Sequence, residues 1–191
     1  MQIIKMTKAY LSERQPPVIR VFHVVVLLLV ISQIVVSNFM GFSDDGEISR
    51  KGIEFYGTWV HIITGLFFIP VALIFIIVEL RSHGFGHFFP YLSGDVTQLK
   101  ADIGQLMQFK LPEASEKGLA AVVQGLGLGA LILVLLSGMS WFISWSYHAP
   151  WAESVKEVHE FLTGLIQAYI IGHGCMGLLH IYSTEKNRIA P

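Results

Sequence analysis

Val158-His159-Glu160-Phe161-Leu162-Thr163-Gly164-Leu165-Ile166-Gln167-Ala168-Tyr169-Ile170-Ile171-Gly172-His173-Gly174-Cys175-Met176-Gly177-Leu178-Leu179-His180 is the stretch that decides the fold. A bilayer core roughly 30 Å thick needs about 20 largely apolar helical residues, which this run supplies. Its histidines stand at spacings of fourteen and then seven residues. Fourteen residues fall about 40° short of four full turns, so the three imidazoles share one helix face. Slight underwinding in a bundle aligns them further. His159 and His173 lie about 21 Å apart along the axis, most of the way across the bilayer core. Intramembrane histidines are costly and by default mark a functional site. With partners on other helices, these two can hold one cofactor near each membrane face.

The composition places the whole chain in the same solvent. Of 191 residues, 53% are hydrophobic and only 14% charged, and the mean hydropathy is +0.58. That is an integral membrane protein. A net charge of −1 argues against a nucleic-acid-binding surface. The single cysteine, Cys175, permits no disulfide framework within one chain, and without a C-x-x-C-H run the usual covalent haem attachment is excluded. The first apolar run follows about twenty polar residues with no small-residue cleavage site after it, which predicts a retained helix.

The apolar runs predict an all-α, integral membrane four-helix bundle, a single transmembrane domain over 1–191 with helices at about 17–37, 56–79, 118–145 and 154–182. Pro17 suits the first turn of the first helix. Pro70 is expected to bend the second or break one of its hydrogen bonds. Gly65, four residues after His61, leaves room for a flat ligand or for a close-packed helix. The connection from Arg81 to Lys117 is long enough to carry structure. In it Val96, Leu99, Ile103, Leu106 and Met107 recur at helical spacing, with Ser93 or Asp95 as caps. They predict an interfacial helix at about 95–108. Trp141, Trp145 and Trp151 form an aromatic belt at one interface.

Basic residues orient the chain. Lys5, Lys8, Arg14, Arg20, Arg81, Lys100, Lys110, Lys117, Lys186 and Arg188 are ten of the thirteen, against Arg50, Lys51 and Lys156 in the other loops. The positive-inside bias puts both termini and the long connection in the cytoplasm.

On that topology the histidines sort by depth. His23 lies about 9 Å inside the cytoplasmic start of the first helix, and His173 roughly 13 Å inside the cytoplasmic end of the last. His61 and His159 each lie roughly 8 Å inside the outer ends of their helices. Two facing pairs result, suited to bis-imidazole ligation of two haems. Zinc also takes imidazole, but structural zinc favours one four-ligand cluster, and these positions divide into two sites about 20 Å apart. His83, His87 and His148 are read as interfacial or solvated.

One histidine in the first helix, one in the second, none in the third and two in the fourth resembles the bacterial four-helix b-type cytochromes. That superfamily includes prokaryotic cytochrome b561 and the cytochrome b subunits of nickel–iron hydrogenases and formate dehydrogenases. His159-x13-His173-x6-His180 is similar to the b561 branch. Phe89-Pro90-Tyr91-Leu92-x-Gly94-Asp95 and Val123-Gln124-Gly125-Leu126-Gly127 are similar to members described simply as cytochrome b. The resemblance covers about 20–182. It implies an outer haem b on His61 and His159, a cytoplasmic haem b on His23 and His173, and electron transfer between an outside donor and membrane quinone in the bacterial inner membrane. Ile181 stands where the family often has a second histidine after His180.

Two functions compete within this reading. One is work with a redox partner, either a c-type cytochrome or larger oxidoreductase subunits. The other is a stand-alone, quinone-reducing superoxide oxidase. The short acidic outer loops offer no basic funnel for an anion, which favours the protein partner. A rival of another class is a non-redox membrane protein that binds or transports metal through its histidines. His180 is expected near a cytoplasmic-side quinone, with Lys100 or Lys110 as a further quinone or propionate contact.

Overall fold

The computed structural model describes residues 6–7, 11–12, 15–43 and 46–189. Lys5, Lys8, Arg14, Asp44, Asp45 and Pro191, with the side chain of Arg188, lie outside the described residues. Four helices are long and apolar enough to cross a membrane, and the chain has an all-α four-helix membrane fold. They are α1 (Pro17–Ser37), α2 (Gly52–His83), α5 (Leu119–Ser146) and α6 (Ala152–Ile189). Between α2 and α5 lie a one-turn helix α3 (Phe85–Phe88), a 3-10 turn (Pro90–Ser93) and α4 (Thr97–Met107). Among the described residues no strand forms, and Phe42 and Ile48 make an isolated antiparallel bridge.

Two of the spanning helices, α2 and α6, outrun their apolar windows. α2 begins at Gly52 and ends at His83, wider than the expected 56–79, because polar residues suited to helix ends extend it. Glu54 sits in its first turn and Arg81 and His83 in its last, each favourable to the helix dipole. It also continues through Pro70. α6 starts at Ala152 and runs to Ile189, past the expected 182. α4 is shorter than expected, and neither Ser93 nor Asp95 caps it. Its N-cap is Val96, without a side-chain hydrogen bond, since Asp95 pairs with Lys117 at 2.7 Å and Ser93 Oγ donates to the Pro90 carbonyl. Ile103, Leu106 and Met107 of α4 are exposed.

The chain forms two compact units, each built from segments of all four long helices. The first comprises Val21–Ile76 and Leu131–Gly164. Its buried apolar residues include Val26, Val30, Ile62, Phe68, Ala72, Phe75 and Trp141. Buried Thr58 accepts from the Gly41 amide and donates to the Glu54 carbonyl. Gln33 Nε2 donates to Thr64 Oγ1. A Cβ on Gly65 would meet Gln33 Oε1 at 3.2 Å, so that glycine makes room for a glutamine amide. Trp59 meets Trp145 edge-on, Trp141 stacks on Trp145, and Trp145 Nε1 donates to the Gly46 carbonyl.

The second unit comprises Met1–Arg20, Ile77–Ala130 and Leu165–Pro191. Phe88 and Ile19 are fully buried in it. Phe88 fits because Gly125 has no side chain: a Cβ there would stand 2.7 Å from the Phe88 carbonyl oxygen. Asp102, 1% exposed, accepts from the Leu119 amide at 2.7 Å and from Gln98 Nε2 at 2.7 Å. A residue of α4 thereby satisfies one of the orphan N–H groups that begin α5. In both units many apolar side chains face outward, Phe67 and Ile171 among them. Surrounding lipid suits these, because the interior backbone groups of each spanning helix are hydrogen-bonded within their own segment.

Candidate functional site

His61 of α2 and His159 of α6 face each other within the first unit, with ring centres 6.4 Å apart and planes at 75°. Both are half-buried. The partners of His159 settle its tautomer. Ser137 Oγ donates to the Val134 carbonyl at 2.9 Å, so toward His159 the hydroxyl oxygen is left to accept. His159 Nδ1 lies 3.0 Å from that oxygen and 3.1 Å from the Val134 carbonyl. Two acceptors require a donor, which places the proton on Nδ1 and leaves Nε2 with its lone pair. Such a second contact is how proteins orient a ligating imidazole.

Behind the ring, Gly138 supplies the necessary space. A Cβ there would stand 2.9 Å from His159 Cε1 and 3.2 Å from Nδ1. His61 Nδ1 is buried with no hydrogen-bond partner. The Gln33 main chain faces that ring without reaching hydrogen-bond geometry. A buried polar nitrogen left unsatisfied is costly and calls for an explanation. Ser137 and Gly138 escaped the sequence reading because each meets His159 only across a gap of more than twenty residues.

The other sequence-derived residues fall as follows. His23, in the first unit, packs edge-on against Phe75 at 6.3 Å. His173, in the second unit, stacks on Tyr169 at 5.2 Å and 11°. The tyrosine ring occupies the place of a side chain at Gly127, where a Cβ would collide with its hydroxyl oxygen. His180 places Nδ1 2.9 Å from the Met176 carbonyl and Nε2 2.9 Å from that of Pro112, tying α6 to the segment before α5. Lys110 Nζ donates to Gln108 Oε1, and Lys100 is exposed. His148 is exposed beside Glu47. His83, read as interfacial or solvated, is exposed and pairs with Glu79.

The His61–His159 geometry fits an iron porphyrin. A metal held between two imidazoles at about 2.0 Å from each nitrogen keeps the ring centres roughly 6.3 Å apart, and the observed separation is 6.4 Å. No group of three or more His, Cys, Asp or Glu suited to a metal ion occurs among the described residues, so the donor set favours a cofactor bringing its own equatorial ligands.

A four-helix membrane scaffold with facing imidazoles is the kind of site on which membrane b-type cytochromes are built. Residues 14–190 match the family described as prokaryotic cytochrome b561, and the chain belongs to that family. It is therefore a multi-pass membrane cytochrome of the b type, an electron-transfer protein whose cofactor is haem b. No curated protein and no solved structure matches the chain.

Proposed function

We propose that the chain is a di-haem cytochrome of the bacterial inner membrane that passes electrons between an outer-side donor and membrane quinone. The donor is a redox partner protein, a c-type cytochrome or a larger oxidoreductase. His61 and His159 ligate the outer-side haem, and the observation that carries this is their 6.4 Å separation with the His159 tautomer fixed by Val134 and Ser137. His23 and His173 ligate the cytoplasmic-side haem, on the strength of their matched depths in the sequence and the family pattern. Both termini lie in the cytoplasm, as the distribution of basic residues favours.

Bound haem b supplies a one-electron carrier at each level. The chain supplies the rest. Val134 and Ser137 keep Nε2 of His159 free to bind metal, Gly138 sets the ring position, and the apolar helices exclude water. On the quinone side, His180 is a candidate hydrogen-bond donor, with Lys100 and Lys110 as candidate quinone or propionate contacts. In the present structure His180 holds Pro112 instead, so quinone there would displace a main-chain contact.

A reduced-minus-oxidised spectrum with a haem-to-protein ratio tests the reading. Two b-type haems per chain are expected. His61→Ala and His159→Ala should remove one spectral component, and His23→Ala and His173→Ala the other. Loss of the same component in His23→Ala and His61→Ala would refute the pairing, and haem-free protein would refute the whole.

A further inference from the structure

The electron path leaves Glu79, His83 and His87 unused, and they form one group in the second unit. Glu79 lies one turn before the end of α2, in an apolar span, and is 7% exposed. Its Oε2 stands 3.2 Å from Nδ1 of His83, the last residue of α2. His83 keeps 29% of its side chain exposed, so it joins a buried carboxylate to water. His87, on α3, stacks on His83 with ring centres 5.3 Å apart, and buried Phe88 closes against both rings. Groups on other elements face the cluster too: Glu116 acts on His87, and Tyr169 of α6 acts on Glu79. The Tyr169 ring in turn lies against His173.

We propose that Glu79 and His83 form a proton-loading pair that takes one proton from surface water for each electron delivered to the iron held by His173. The proposal rests on the haem reading of His173. With one electron from the redox partner on a haem held by His173, a water proton would bind His83 Nε2. The proton on His83 Nδ1 then passes to Glu79 Oε2, so the carboxylate becomes a carboxylic acid. The proton cancels the charge of the electron, and oxidation reverses both transfers, returning a proton to His83 Nδ1 and releasing one from Nε2 to water.

The physical reason is electrostatic. A charge added in a low-dielectric interior acts strongly on a buried carboxylate, and a proton cancels it. An ionisable group inside a membrane span is expensive unless it has such a use. Burial and the adjacent His83 hold His87 below the ordinary histidine value, against the pull of Glu116. A neutral His87 lets His83 accept a proton without a second positive charge stacked on it.

The test uses the haem-loaded full chain in detergent, titrated electrochemically between about pH 5 and 8. In the wild type, the potential of the haem dependent on His173 should fall with pH by up to about 59 mV per tenfold change in proton concentration. A carboxylic C=O band should appear on reduction in the infrared difference spectrum. Glu79→Gln should flatten the slope and abolish the band with haem content retained. His83→Gln should keep both at equilibrium but slow proton uptake by roughly 100-fold. A wild-type slope and band in Glu79→Gln would overturn the proposal. Should that variant fail to accumulate, unchanged proton uptake in His83→Gln would overturn it as well. Two haems with pH-independent potentials in the wild type would sink the proton pair alone. Haem-free wild type would sink the haem reading, and the proton pair with it.

Discussion

Replacing Gly138 by alanine adds one carbon behind the imidazole of His159, and the consequence can be worked through. The new Cβ would lie 2.9 Å from Cε1, where carbon–carbon contacts rest at about 3.5–4.0 Å. The α5 backbone carries that carbon and cannot recede, so the ring has to move by roughly 0.6 Å or more. Its Nδ1 contacts, at 3.0 and 3.1 Å, would then pass out of hydrogen-bonding range. Each is worth about 0.5–1.5 kcal/mol, and overpacking of this kind costs about 1–3 kcal/mol in all. At about 1.4 kcal/mol per tenfold, apparent affinity at the His61–His159 site should fall roughly 5–150-fold. The assay is haem titration of the apoprotein, followed through the two spectral components. Only the component lost in His159→Ala should weaken or shift. Gly129→Ala on the same helix serves as control, because a Cβ there meets nothing within 4 Å and alanine is the better helix former. Wild-type affinity and an unchanged spectrum in Gly138→Ala would refute the inference that Gly138 seats the imidazole.

Asp102→Ala should destabilise the fold by about 2 kcal/mol, since it removes a helix cap and a second hydrogen bond at a buried site. Asp102→Asn, which keeps one acceptor, should lose less, and thermal melts in detergent read both. A reporter fused after Pro191 should read cytoplasmic, and labelling of a C-terminal tag from outside intact cells would invert the whole orientation. The lowered titration of His87 makes the unfolded chain bind more protons than the folded one, so stability should fall as pH drops below the ordinary value of 6.5 towards the lowered one. His87→Gln should show a shallower loss of melting temperature over that window, and an identical loss would show that His87 takes no part.

The spanning helices could be read from the sequence because lipid demands long apolar runs, and a four-residue error at the start of α2 moves none of the histidines. What lay beyond reading were the polar ends. Lys186 is as compatible with α6 as with a loop, and hydropathy scores it only as the end of a span. Asp95 fitted the rule for a helix cap, but Lys117, twenty-two residues on, competes for its carboxylate. His61 and His159 could be matched by depth from the helical rise alone. Ser137, Gly138 and Glu79 could not, because their significance comes from what stands across from them. Glu79 in particular reads as the residue that ends an apolar run, whereas α2 continues past it and buries it.

Trp59, Trp141, Trp145 and Trp151, all the tryptophans in the chain, belong to the unit that contains His61 and His159. Tryptophan emission is therefore blind to half of the molecule. A red shift on heating or in denaturant registers the opening of that unit alone, and the part carrying Asp102, His173 and His180 can melt earlier or later without a change in emission. A second light source can be added at Phe89 of the second unit, which is half-buried against the rings of Phe85, Phe88 and Tyr91, so that an indole there shifts to the red when its surroundings open. With Phe89→Trp in a chain whose native tryptophans are replaced by phenylalanine, each unit acquires its own optical signal, and the order in which the two melt becomes measurable.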